Sequence, residues 1–205
     1  MTHRFSGTFR GPACITGQMH PCAVGKMTEE SDVIRRVLEG DGESFRLLVE
    51  RYAGPVTRMI RNVSGDDQAC EDLAQEVFLT AYEKLGTFDP RKSRFSTWLF
   101  TIARNKSVNA ARKKKPLYVA NPPERTGRET PEDTVARAEF LTALDRELSA
   151  LPLAQRTAFV LAEFEHLPYE QIAQIEGARL GTVKSRISRA RDRLMAALRR
   201  FGDGV

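Results

Sequence analysis

One stretch, YEQIAQIEGARLGTVKSRISRARDRL from Tyr169 to Leu194, narrows the possible folds more than any other. Val183, Ile187, Ala190 and Leu194 recur at i, i+4, i+7 and i+11. At about 3.6 residues per turn they make one apolar stripe. Lys184, Ser185, Ser188 and Arg189 must then point away from it. Just ahead, Ile172, Ala173 and Ile175 supply the contacts of a shorter helix, and small Ala173 permits a close approach. Gly177 falls where that helix has to end, and glycine can take the left-handed conformation a tight turn needs. Thr182, after Gly181, occupies the place of an N-cap, and the free N–H groups behind it could hold a phosphate. A helix, a tight turn and a second helix with a basic outer face is the arrangement that lays a rod of donors in a DNA major groove, where Arg pairs bidentately with guanine. The plainer alternative is an amphipathic hairpin whose basic face is merely solvated.

Charge is distributed in blocks. The 205-residue chain has a formal net charge of +5, a modest excess. Between Arg91 and Lys115 there is no acidic residue, while Arg91, Lys92, Arg94, Arg104, Lys106, Arg112, Lys113, Lys114 and Lys115 are all basic. Between Asp66 and Glu83 the sign reverses: Asp66, Asp67, Glu71, Asp72, Glu76 and Glu83 stand without a Lys or Arg. Separated blocks fit two different partners, nucleic acid for the basic one and a basic protein surface for the acidic one.

Cys14, Cys22 and Cys70 lack the count and spacing of a disulfide framework and fit a reduced, cytoplasmic protein. No apolar run reaches membrane-spanning length and no signal-peptide core is present, so a soluble protein without membrane insertion is expected. The Glu71, Asp72, Glu76 cluster has no His nearby and lies along one helix; no phosphate-cradling glycine loop or metal-ligand motif stands in the patterned segments. No catalytic residue, metal or cofactor is therefore expected.

The chain divides into four parts. Residues 1–26 have no periodicity and read as a disordered extension. Cys14, His20 and Cys22 make a weak metal-binding set there, and the helical pattern that sets in near Ser31 makes Met27 an alternative start. Residues 27–115 read as a helical domain. Val33, Ile34, Val37 and Leu38 face inward on its first helix, and Phe45, Leu48, Val49 and Tyr52 on the next. A further helix starts at Pro55, another carries the stripe Leu73, Val77, Ala81, Leu85, and the last is capped by Ser96 or Thr97. Residues 116–137, with Pro116, Pro122, Pro123, Gly127 and Pro131, read as a linker. Residues 138–201 form a second helical domain ending in the helix–turn–helix. His166 reads as a surface or capping residue. Strand alternation is almost missing, so the expected fold is all-α, two small helical domains on a flexible linker.

These residues carry a resemblance. DLAQEVFLTAYEKLGTFDP (72–90), SRFSTWLFTIARNKSVN (93–109) and LPLAQRTAFVLAEFEHLPYEQIA with LGTVKSRISRARDRL (151–194) resemble, in order and spacing, the bacterial sigma factors of the extracytoplasmic-function (ECF) group. The likeness covers roughly residues 28–200. Glu176, before the turn glycine, and Ala178-Arg179 within the turn depart from the apolar residues and proline common in that group.

The resemblance implies binding to core RNA polymerase and direction of it to promoters of a stress- or signal-responsive regulon, with restraint by an anti-sigma factor. It implies that Thr182, Lys184, Ser185, Arg186, Ser188 and Arg189 read the −35 element. It assigns the −10 element to Lys92, Ser93, Arg94, Phe95, Arg104, Asn105 and Lys106, and the polymerase to Asp72, Leu73, Gln75, Glu76 and Phe78. Phe95 and Trp98 could stack on unpaired bases, although Trp98 also falls on the apolar stripe with Ile102. A conventional helix–turn–helix regulator that binds duplex DNA alone would explain 169–194 and leave 66–109 without a task.

Overall fold

In a computed structural model the described residues are 26–66, 68–113 and 131–201. The metal-binding set Cys14, His20, Cys22 and most of the linker lie outside them. The described residues form eight α-helices and no strand: α1 Lys26–Leu38, α2 Phe45–Ser64, α3 Cys70–Glu83, α4 Phe95–Lys113, α5 Pro131–Ala150, α6 Leu153–Phe159, α7 Tyr169–Glu176 and α8 Leu180–Leu198.

Helices α1–α4 form the first bundle. α1 begins at Lys26, ahead of the expected onset, and Gly40 turns the chain after it at φ +108°. The Asp41 carboxylate then accepts from the Ser44 amide at 3.3 Å and hydroxyl at 2.6 Å, capping a short 3₁₀ turn. Pro55 does not open a helix, as the sequence led one to expect, but lies inside α2. The missing amide bond is outweighed because Phe45 and Leu48 before it, and Val56, Met59, Ile60 and Val63 after it, all enter one core. Gly65, at φ +66°, ends the helix. Thr97 is buried inside the first turn of α4 rather than capping it, since the helix starts at Phe95.

Helices α5–α8 form the second bundle. α5 takes in 131–137, residues expected in the linker; a proline at the first helical position loses no internal hydrogen bond. α6 widens into a π-turn over Val160–Phe164, after which His166 adopts a left-handed φ of +51° and closes the segment. Leu148, Leu151, Phe159, Ala190 and Leu194 pack as a local cluster. The two bundles touch: α7 lies against α4, and the core of the first runs on into Leu161, Ile172, Val183 and Ile187 of the second.

Candidate nucleic-acid interface

The helix–turn–helix has the expected frame. Gly177 sits at φ +59°; its N–H donates to the Gln174 carbonyl at 3.2 Å and the Ala178 N–H to the Ala173 carbonyl at 3.0 Å, the paired closure of a Schellman motif. Ala178 and Arg179 are thus compatible with a tight turn, Arg179 being extended. Val183, Ile187, Ala190 and Leu194 are all buried. Opposite them Thr182, Lys184, Ser185, Ser188 and Arg189 are exposed, while Arg186 is partly withdrawn. Thr182 is not the N-cap: α8 begins at Leu180, so Thr182 lies in the first turn and Arg179 precedes it without a side-chain cap.

The second basic surface surrounds the start of α4. Arg91, Lys92 and Arg94 are exposed in the loop, and Asp89 folds it by accepting from the Arg91 guanidinium at 3.1 Å and lying 3.9 Å from Lys92. The Arg91 side-chain hydrogen bond first, then the Arg91 backbone N–H bond at 3.0 Å and the Lys92 charge, hold the Asp89 carboxyl below its ordinary value. Ser93 is half-buried and Asn105 exposed. Phe95, expected to be available to bases, is instead 4 % exposed. It packs between Tyr52, Phe88 and Trp98 with ring centroids 5.6–5.7 Å apart, because the loop after α3 folds over it. Trp98 is half-buried in the same group. Lys106 bonds Glu76 of α3 at 3.0 Å, and Arg104 lies 3.7 Å from Glu176 of α7. Ser93, Arg94 and Thr97 line, with Gln171 and Gln174, a cleft of about 270 Å³.

The acidic surface is the outer face of α3, where Asp72, Gln75 and Glu76 are exposed as expected. Phe78, counted as a contact residue, is 9 % exposed and belongs to the core, and Leu73 is half-buried. The apolar area on the open face comes from Leu79 and Tyr82, 59 % and 46 % exposed. At about 100° per residue Leu79 falls roughly 200° from Val77, so the wheel itself places it outward.

An all-helical protein with a basic helix–turn–helix and a separate acidic–apolar helix face matches the Sigma-70 family. The Sigma-70 region 2 profile covers residues 48–116 and the Sigma-70, region 4 profile residues 141–194. ECF RNA polymerase sigma factor SigW of Bacillus subtilis is 34% identical over 179 residues, 81% of this chain and 95% of its own. RNA polymerase sigma-H factor of Pseudomonas aeruginosa is 36% identical over 186 residues, 84% and 96% of the two chains. The solved structure of sigma factor RpoE in complex with the anti-sigma factor NepR from Bartonella quintana superimposes with a TM-score of 0.64 at 28% identity, covering 77% of this chain and 98% of that one. The chain belongs to the ECF sigma factors, and its function is promoter recognition in transcription initiation, with core RNA polymerase and promoter DNA as partners.

Proposed function

We propose that this chain is a cytoplasmic, non-enzymatic initiation factor whose three surfaces divide the work: α3 docks on polymerase, the α4 start handles the −10 strand, and α8 reads the −35 duplex. One observation carries the reading. The same chain exposes a basic helix–turn–helix face on α8 and, on another bundle, the outward stripe Asp72, Gln75, Glu76, Leu79, Tyr82. Charged groups flanking apolar area suit a basic protein surface, since carboxylates pair with Arg while Leu79 and Tyr82 supply burial. In this division residues 27–115 form the polymerase and −10 domain, 116–137 the connection, and 138–201 the −35 domain. Region 4, Arg189 included, contributes bidentate and phosphate contacts. The RpoE–NepR complex supports an anti-sigma partner for this chain too, and with it a signal-released regulon.

The test is run-off transcription with purified core polymerase on a library of promoter fragments. Defined starts that need both components are expected, and their aligned upstream sequences give the two elements. Specific duplex binding by the chain alone, without any dependent start, would replace this reading with a conventional regulator. Leu79→Asp should abolish polymerase binding and spare −35 binding by the isolated chain; unchanged polymerase affinity would move the docking face elsewhere.

A further inference from the structure

Glu176 is the last residue of α7, one step before the turn glycine. A carboxylate there meets the negative end of the helix dipole and needs a cation nearby. Its side chain is 0 % exposed, which makes that need stronger. Two guanidinium groups answer it. Arg186 of α8 donates from Nη1 to Glu176 Oε2. Arg104 of α4 lies 3.7 Å away, and its Nε and Glu176 Oε1 are both buried without a hydrogen bond. The direct bond to the carboxylate therefore comes from Arg186, across the turn and within the helix–turn–helix itself. The place of Arg186 on α8 suits that task. At about 100° per residue it sits roughly 70° from the centre of the stripe Val183, Ile187, Ala190, Leu194. Ser188 and Arg189 sit roughly 130° from that centre and Ser185 roughly 170°. Those three are exposed, whereas the Arg186 side chain is 29 % exposed. A cation on the flank of a recognition helix is placed to meet a phosphate at the groove edge once nothing holds it back. Here an acid holds it, at a position where an apolar residue is common in the ECF group.

We propose that Glu176 is a positioning residue that withdraws Arg186 from the DNA backbone and so removes one phosphate contact from α8. This role rests on the sigma-factor reading above. A phosphate contact carries no sequence information, so its removal weakens the hold on every duplex alike. Recognition then depends more on the outward residues Thr182, Lys184, Ser185, Ser188 and Arg189. Arg186, assigned to the −35 element by resemblance, is in this arrangement a partner of α7 and not of DNA.

The test is the salt dependence of DNA binding by the full chain reconstituted with core polymerase. Anisotropy is followed from about 50 to about 200 mM salt on two duplexes, one carrying the −35 element alone and one scrambled. Glu176→Met puts an apolar group of similar length in the buried site and frees Arg186. The slope of log affinity against log salt should steepen by about 0.9 on both duplexes, so that the same rise in salt costs about 3.5-fold more affinity than in wild type. Adding Arg186→Met to Glu176→Met should return the slope to the wild-type value. The double variant leaves no unpaired carboxylate in the buried site, and helical content by circular dichroism checks its fold. A wild-type slope in Glu176→Met overturns the proposal. So does a steeper slope that survives Arg186→Met, which would belong to Arg104 or to the lost negative charge. A double variant shallower than wild type by about 0.9 also overturns it, because Arg186 would then already sit on a phosphate. Absence of any polymerase-dependent start in run-off transcription overturns the sigma-factor reading instead, and the slopes of the chain alone on the scrambled duplex then decide the role of Glu176.

Discussion

Helices α4 and α8 are both nineteen residues long, both basic and both assigned to DNA, yet the fold treats them differently. α8 buries one stripe, and its outer face, from Thr182 to Arg189, meets solvent. α4 is packed by α2, α3 and α7, so Phe95, Thr97, Leu99, Phe100, Ala103, Ser107 and Val108 are all buried and its cations answer to Glu76 and Glu176. Basic composition marks both as suited to nucleic acid. Availability depends on how far round a helix its neighbours reach: α8 also has three, α5, α6 and α7, but only its one stripe is buried against them.

The sharpest way to break the comparison is to cut each core. Ile187→Ala and Leu99→Ala each remove a wholly buried side chain and should cost ~2–5 kcal/mol in denaturant unfolding. Ile187→Ala should abolish −35 binding and spare polymerase docking, and Leu99→Ala should do the reverse. Joint loss of both activities in both variants would mean that the bundles fold as one unit. Next in size, Arg189→Ala should weaken binding to a −35 duplex by ~1–3 kcal/mol with relaxed base preference; an equal loss on every sequence would mark a phosphate contact. On α4, Lys106→Ala should change stability by less than ~1 kcal/mol, because its Glu76 partner is largely exposed.

The smallest effects are in pH. Hydrogen bonds from Ser44 and Arg36 lower the Asp41 carboxyl below its ordinary 3.8. The stabilisation is thus complete above 3.8 and lost as pH falls through the lowered value. Burial raises Glu165 above its ordinary 4.5 despite the opposing Arg58 bond. That contribution is complete below 4.5 and lost as pH rises through the raised value. Melting profiles of Asp41→Asn should lack the first dependence and those of Glu165→Gln the second; identical profiles for wild type and variants would sink both assignments.

Periodicity exposed the helix–turn–helix because each part of it is local: a stripe, a turn glycine and an outward face are fixed within 26 residues. Gly177 adopts the left-handed conformation the turn demanded, and the stripe is buried. Misplaced residues lie where a second layer arrives. Phe95 looked like a base-stacking ring until Tyr52, Phe88 and Trp98 closed around it. The resemblance counts Phe78 among the polymerase contacts, and the core proved wide enough to take it. Pro55 reads as a helix start in isolation and is carried inside α2 by packing on both sides.

The sequence by itself determined the all-helical class, the family, the basic outer face of α8 and the acidic outer face of α3, since each follows from spacing along one helix or from motifs within a helix or two. Tertiary structure decided what lies between helices: that Phe78 is taken into the core, that Arg104 is held by Glu176, and that the bundles meet through α4 and α7. The physical reason is range. A helical wheel fixes the direction of a side chain about its own axis, within a few residues. The partner it finds there is set by segments a hundred residues away, as Arg58 and Glu165 are, and by how much water their packing excludes.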